Sequence, residues 1–156
     1  MDYSTDMDSC ISGIEYANRI YLSFKKTLTM YDFINIEELK GKIITRITGL
    51  HKGSEEAHFY TSDGLHYKMY HLQDCCEYVY IEDVCGDVED LIGNPIIRAE
   101  ERRNYDGGPL EEFDYSSYTW TFYALATKKG YVDIRWYGTS NGYYGEEACL
   151  ELVEEE

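Results

Sequence analysis

The sequence predicts an α+β domain, a mainly antiparallel, twisted sheet of about six to eight strands with one N-terminal helix. Three observations carry that expectation. From Lys40 onward, apolar residues recur at every second position, the period of a half-buried strand. The turn signals Asp63-Gly64, Lys128-Lys129-Gly130 and Asn141-Gly142 divide these runs. Upstream, Ser12-Gly13-Ile14-Glu15 has the Ser-x-x-Glu form of a capping box, and Ile14, Ala17, Tyr21, Phe24 and Leu28 follow at near-helical spacing.

Taken in order, the first element is a helix over residues 13–29, although the β-branched and aromatic content of 20–28 would also suit a strand. Strands follow over 42–50, 57–62 and 65–72, the last two joined at Asp63-Gly64 by a two-residue type I′ turn. A strand over 77–84 leads through Gly86 to a short helical turn over 88–92, which Gly93-Asn94-Pro95 stops. Extended structure resumes over 96–100, and the Gly-rich, acidic run 101–117 reads as a long surface loop. In 118–127 one face carries Tyr118, Trp120, Phe122, Ala124 and Ala126 and is assigned to the core; the other carries Thr119, Thr121, Tyr123, Leu125 and Thr127. In 131–137 the inward set is Val132, Ile134 and Trp136, with Asp133 and Arg135 outward. Asn141-Gly142 then leads into 143–153, completing a three-strand antiparallel meander. The organisation is a helical extension over 1–38, a β-rich domain over 39–153 and an acidic tail over 154–156.

A chain of 156 residues can bury roughly two-thirds of its unfolded surface without a metal or disulfide staple. Its 44% apolar content and 17 tyrosines exclude a disordered class. The first eight residues hold three Asp and no Lys or Arg, and no apolar run approaches the ~18 residues of a membrane span, so the expectation is a cytoplasmic protein. Cys10, Cys75, Cys76, Cys85 and Cys149 are odd in number and irregularly spaced, which favours reduced thiols. His71, Cys75, Cys76 and Cys85 are chemically able zinc ligands, but adjacent cysteines on a strand point to opposite faces, and no metal or other cofactor is expected.

Charge is distributed unevenly. Residues 1–71 carry 8 basic and 10 acidic groups, whereas 72–156 carry 6 and 20. Such a field attracts basic protein surfaces and repels nucleic acids and anionic membranes. Within 72–95, Asp74, Glu77, Glu82, Asp83, Asp87, Glu89 and Asp90 occur with no Lys or Arg among them. They form either a solvated face or a partner-binding surface that places carboxylates where phosphates would sit. Trp136, Tyr137, Tyr143 and Tyr144 around the Gly138–Gly142 segment are residue types that binding hot spots favour, or else sheet packing and a turn. Glu146, Glu147, Glu151 and the tail are expected to form an exposed acidic end. His71 with Cys75 lacks any surrounding nucleophile motif, so no catalytic residues are assigned and the protein is not expected to be an enzyme.

Several segments between Leu39 and Glu147 resemble a family of small phage and prophage proteins classed as a domain of unknown function. They include Gly41-Lys42, Ile47-Thr48-Gly49-Leu50, Gly53-Ser54-Glu55-Glu56 and Asp63-Gly64. The densest are Met69-Tyr70-His71, Gln73-Asp74-Cys75-Cys76-Glu77, Ile81-Glu82-Asp83 and Gly86-Asp87. Asp90-Leu91-Ile92-Gly93, Ala99-Glu100-Glu101, Thr119-Trp120-Thr121-Phe122-Tyr123, Ile134-Arg135-Trp136-Tyr137-Gly138 and Ser140-Asn141-Gly142-Tyr143-Tyr144 complete the set. Gly145 departs from it where a serine is expected, and residues 1–38 stand as an addition. The resemblance implies a viral origin and a β-rich domain, and supplies no activity.

Charge and resemblance together give the expectation of a phage-encoded, anti-CRISPR-like inhibitor in the cytoplasm of an infected bacterium. Its partner would be a basic defence protein, such as a CRISPR effector or its guide-RNA complex, bound without direct nucleic-acid or membrane contact. A small-molecule or nucleotide-binding protein that captures a defence signal, and a virion accessory protein, are the alternatives.

Overall fold

Period-two patterning is realised as nine strands within residues 33–104 and 117–154, which are the residues that the computed structural model describes. They are β1 (Phe33–Ile34), β2 (Ile44–Thr48), β3 (Glu56–Thr61), β4 (His66–Tyr70), β5 (Tyr78–Cys85), β6 (Arg98–Asn104), β7 (Ser117–Ala126), β8 (Tyr131–Ser140) and β9 (Cys149–Val153). They form a five-stranded sheet in the order β1-β9-β4-β3-β2 and a four-stranded sheet in the order β5-β8-β7-β6. Every strand pair is antiparallel.

The inward residues of both sheets make one buried cluster, with Phe59, Tyr67, Met69 and Leu150 from the first and Ile81, Tyr123, Leu125, Val132, Ile134 and Trp136 from the second. Trp136 is fully buried and its Nε1–H reaches Met69 Sδ, 3.3 Å away in the other sheet. Burial of a side chain this large is among the strongest single contributions a core can contain.

The α+β expectation is corrected. Of the described residues 55% are strand and 7% helical, with no helix of seven or more residues among them. The helical part is two four-residue 3-10 turns, Ile36–Leu39 and Val88–Leu91. Each starts at an Asx cap: Asn35 accepts from Glu37 N at 2.9 Å and Asp87 from Glu89 N at 3.0 Å. The chain returns to extended backbone at Lys40 and Ile92. The expected helix over 13–29 lies outside the described residues. Ile36 and Leu39 are fully buried and β1 pairs with β9, so residues 33–38 belong to the β domain.

Four other expectations change. The hairpin forms where Asp63-Gly64 placed it, but no non-glycine residue among the described residues has positive φ, so Asp63 excludes a type I′ turn. Residues 62–64 form a three-residue loop in which Gly64 alone is left-handed, at φ 82°, and Thr61 N bonds Leu65 O at 2.9 Å. Residues 101–104 are strand, paired through Asn104↔Trp120, while the rest of the expected loop lies outside the described residues. The C-terminal meander does not form, because β9 pairs with β4 and β1 in the opposite sheet.

The inward face of β7 is also the reverse of that expected. Thr121, Tyr123 and Leu125 stand opposite Trp136, Ile134 and Val132, and directly opposed residues share a face. The hydroxyl groups placed inside are used. Thr119 Oγ1 donates to Glu146 Oε2 at 3.0 Å, Thr121 Oγ1 accepts from Ala148 N at 3.3 Å, and Tyr123 OH donates to Ala148 O at 3.0 Å. These bonds satisfy the backbone and carboxylate of the segment that crosses from β8 to β9.

That crossing needs close approach at Gly138, where an added Cβ would lie 2.0 Å from Glu146 O. Gly138→Ala is expected to cost at least ~2 kcal/mol in urea unfolding, since the obstructing atoms are backbone and cannot swing aside. A change under ~0.5 kcal/mol would contradict this crossing.

Candidate functional site

The acidic stretch does not form one surface. Glu77 is buried; its Oε1 lies 3.1 Å from His71 Nε2 and accepts from Asp74 N, while Oε2 accepts from Cys75 N at 3.0 Å. Glu82 Oε2 pairs with Arg135 Nε at 2.6 Å, and Asp83 lies 3.8 Å from the same guanidinium. Asp87 caps the 3-10 turn, and Asp90 has its carbonyl bonded by Thr127 Oγ1 at 2.5 Å. Asp74, Asp87 and Glu89 are exposed, but Asp74 precedes β5 and the other two follow it. At about 3.3 Å per residue the eight residues of β5 hold these groups some 25 Å apart.

Of the expected aromatic anchors, Trp136 is removed by its burial in the core. Tyr143 is 84% exposed, packed edge-on against Tyr144 at 5.0 Å, and its N–H bonds Asn141 Oδ1 at 3.1 Å. Glu146, assigned to an exposed end, is 4% exposed and held by Ser140 Oγ at 2.6 Å and by Ser117 Oγ.

The outward face of the four-stranded sheet presents Tyr118, Trp120 and Phe122, expected in the core, together with Tyr137, expected at a partner surface. Tyr80 lies beside Tyr78 at 5.0 Å and meets Tyr137 edge-on at 6.0 Å. Tyr137 continues to Trp120 at 4.8 Å and Tyr118 at 6.2 Å, and Trp120 to Phe122 at 6.5 Å. The guanidinium of Arg135 stands 5.5 Å from the Trp120 ring and that of Arg102 5.1 Å from the Phe122 ring. Tyr78 is exposed and the other rings are half-buried, so their faces and edges remain accessible. Register alone could have revealed this ladder. A hairpin closing at Thr127 and Gly130 sets Trp120 opposite Tyr137 whenever Trp136 points inward.

His71 closes the other end of the sandwich. Its Nδ1 lies 2.7 Å from Glu147 O and its Nε2 3.1 Å from Glu77 Oε1. It borders a cleft of about 350 Å³ lined also by Phe33, Leu72, Asp74, Arg103 and Glu147. Burial raises the Glu77 carboxyl, but the N–H groups of Asp74, Cys75 and Glu77 itself, with His71, outweigh it, and its pKa falls to about 2. Cys149, in the same cleft, has its thiol pushed up to about 12 by burial and then by Glu151, and bonds Tyr70 O at 3.1 Å, the state of an inert thiol.

Cys75 and Cys76 stand side by side with their sulfur atoms in contact. They occupy a bend before β5 and not a strand, so the opposite-face rule does not apply. Cys85 lies at the far end of β5, and no three potential metal ligands converge among the described residues.

Fold and surfaces define a two-sheet antiparallel β domain with an aromatic outer face. Residues 37–150 match DUF7448, a domain of unknown function, and the chain belongs to that family. No curated protein matches the chain. No solved structure matches it either. No helix among the described residues is long and apolar enough to cross a membrane.

The Glu77 site predicts an acid transition. Its folded pKa of about 2 lies below the ordinary 4.5, so its contribution is complete above pH 4.5 and is lost as pH falls toward 2. Urea midpoints are expected to drop through that window. Glu77→Gln is expected to cost ~3 kcal/mol at neutral pH and to flatten the acid slope. An unchanged slope in the variant would show that other carboxylates carry it.

Proposed function

We propose that the protein is a non-catalytic binding module that docks a basic protein surface on the outward face of its four-stranded sheet. The observation that carries this reading is the connected ladder of Tyr78, Tyr80, Tyr137, Trp120 and Phe122 with Arg135 and Arg102 beside it. Tyr, Trp and Arg are the residues on which binding energy concentrates, and electron-rich ring faces accept lysine and arginine side chains. A formal net charge of −16 supplies long-range attraction to such a partner.

Two observations favour binding over catalysis. His71 has both ring nitrogens engaged, and Cys149 is held as a thiol. The specific setting we propose, inhibition of a bacterial nucleic-acid-targeting defence effector, draws on the acidic charge and the resemblance to phage proteins. Dispersal of the carboxylates along β5 makes steric occupation by the aromatic face a better physical basis for it than imitation of a phosphate backbone.

Capture from a bacterial lysate with wild type and Trp120→Ala, at ~50 and ~500 mM salt, tests the reading. A basic protein recovered at low salt is expected to be weakened at high salt and lost in the variant, whose affinity falls ~30-fold or more. Recovery indifferent to both changes would place the interface elsewhere.

A further inference from the structure

The outward face of the five-stranded sheet carries a second constellation, unrelated to the proposed docking face. His58 of β3 and His66 of β4 are diagonal neighbours, since His58 stands opposite Lys68 and Tyr60 opposite His66. Their side chains meet, with His58 Nδ1 2.8 Å from His66 Nε2. On its other side, His58 Nε2 lies 3.3 Å from Glu56 Oε1. We propose that His58 and His66 chelate a divalent transition-metal ion, of the copper or nickel type, with Glu56 orienting His58.

The chemistry of each atom supports this assignment. A carboxylate can only accept at His58 Nε2, so that nitrogen carries the proton and Nδ1 presents its lone pair toward His66. This is the arrangement in which a metal-binding histidine donates its second N–H to a carboxylate, fixing tautomer and ring orientation. In the ion-free pair His66 Nε2–H donates to His58 Nδ1; on chelation the His66 proton resides on Nδ1 and Nε2 becomes a ligand.

Ligand type points to the class of ion. Two nitrogens each ~2.0 Å from a metal and at right angles to one another stand ~2.8 Å apart, whereas tetrahedral coordination needs ~3.3 Å. The observed 2.8 Å is the hydrogen bond of the ion-free pair; imidazole nitrogens suit Cu²⁺ and Ni²⁺, whose right-angled geometry asks for no wider separation, with the rings turning so that both lone pairs meet beside the N···N line. No third ligand converges among the described residues, so water completes the coordination.

The pair is also held in place. Tyr60 stacks on His66 at 4.3 Å and 14° between planes, and the Arg46 guanidinium covers the Tyr60 ring at 3.7 Å. Lys68 Nζ binds the second oxygen of Glu56 at 2.8 Å, leaving Oε1 for His58. Both ligands stand on paired strands, which restrict movement more than loops do. His58 is part-exposed, its side chain 21% accessible, so an ion can reach it.

Calorimetric titration of the full chain with Ni²⁺ tests the site. One equivalent is expected to bind wild type and His51→Ala alike. His58→Ala and His66→Ala are each expected to abolish binding, and Glu56→Gln to weaken it 10–100-fold. Circular dichroism without metal checks that each variant folds, and His58→Gln and His66→Gln replace any that does not. Binding that survives loss of either histidine, or no binding to wild type, would overturn the proposal.

Discussion

The structure depends on how the chain travels from β8 to β9. Between these strands it leaves the four-stranded sheet, passes beneath Gly138 and enters the five-stranded sheet between β1 and β4. A segment that runs through an interior must find partners for its own peptide groups and for any charge it carries. Thr121 and Tyr123 take the two backbone groups of Ala148, and Ser117, Thr119 and Ser140 take the carboxylate of Glu146. No side-chain nitrogen or oxygen is buried without a partner among the described residues.

This arrangement decides which face of β7 is available for function. Threonine and tyrosine are needed inside because the crossing segment is polar, and strand alternation then sends Tyr118, Trp120 and Phe122 outward. The outward rings meet Tyr137, Tyr80 and Tyr78 from the neighbouring strands and become a continuous surface. The aromatic face is thus a consequence of how the interior is satisfied. The protein keeps Trp136 for its core and Trp120 for its surface, although the two stand in similar sequence surroundings.

Most strand positions, and the places where the chain turns between β3 and β4 and between β7 and β8, were legible in the sequence because they depend on local chemistry. Gly64 takes the left-handed position its turn demands, and Asp87 caps the 3-10 turn predicted near Val88. Which strand pairs with which was not legible, because pairing depends on contacts far apart in the chain. The meander expectation followed the rule that sequential strands are neighbours, and tertiary burial of Glu146 overrode it. Hydropathy misassigned β7 by treating threonine as a surface residue, while the register of the Thr127–Gly130 hairpin contained the right answer. The acidic stretch was misleading for a related reason: it holds no Lys or Arg, yet Arg135 reaches Glu82 and Asp83 across the fold.

The chain has two tryptophans, and their accessibility tests this account most directly. Acrylamide quenching of emission in Trp120→Phe reports Trp136, and in Trp136→Phe reports Trp120. The account predicts blue-shifted, weakly quenched emission from Trp136 and red-shifted, readily quenched emission from Trp120. The reverse order, with Trp120 protected and Trp136 open to the quencher, would contradict the inside-out placement of β7 and the aromatic face built on it.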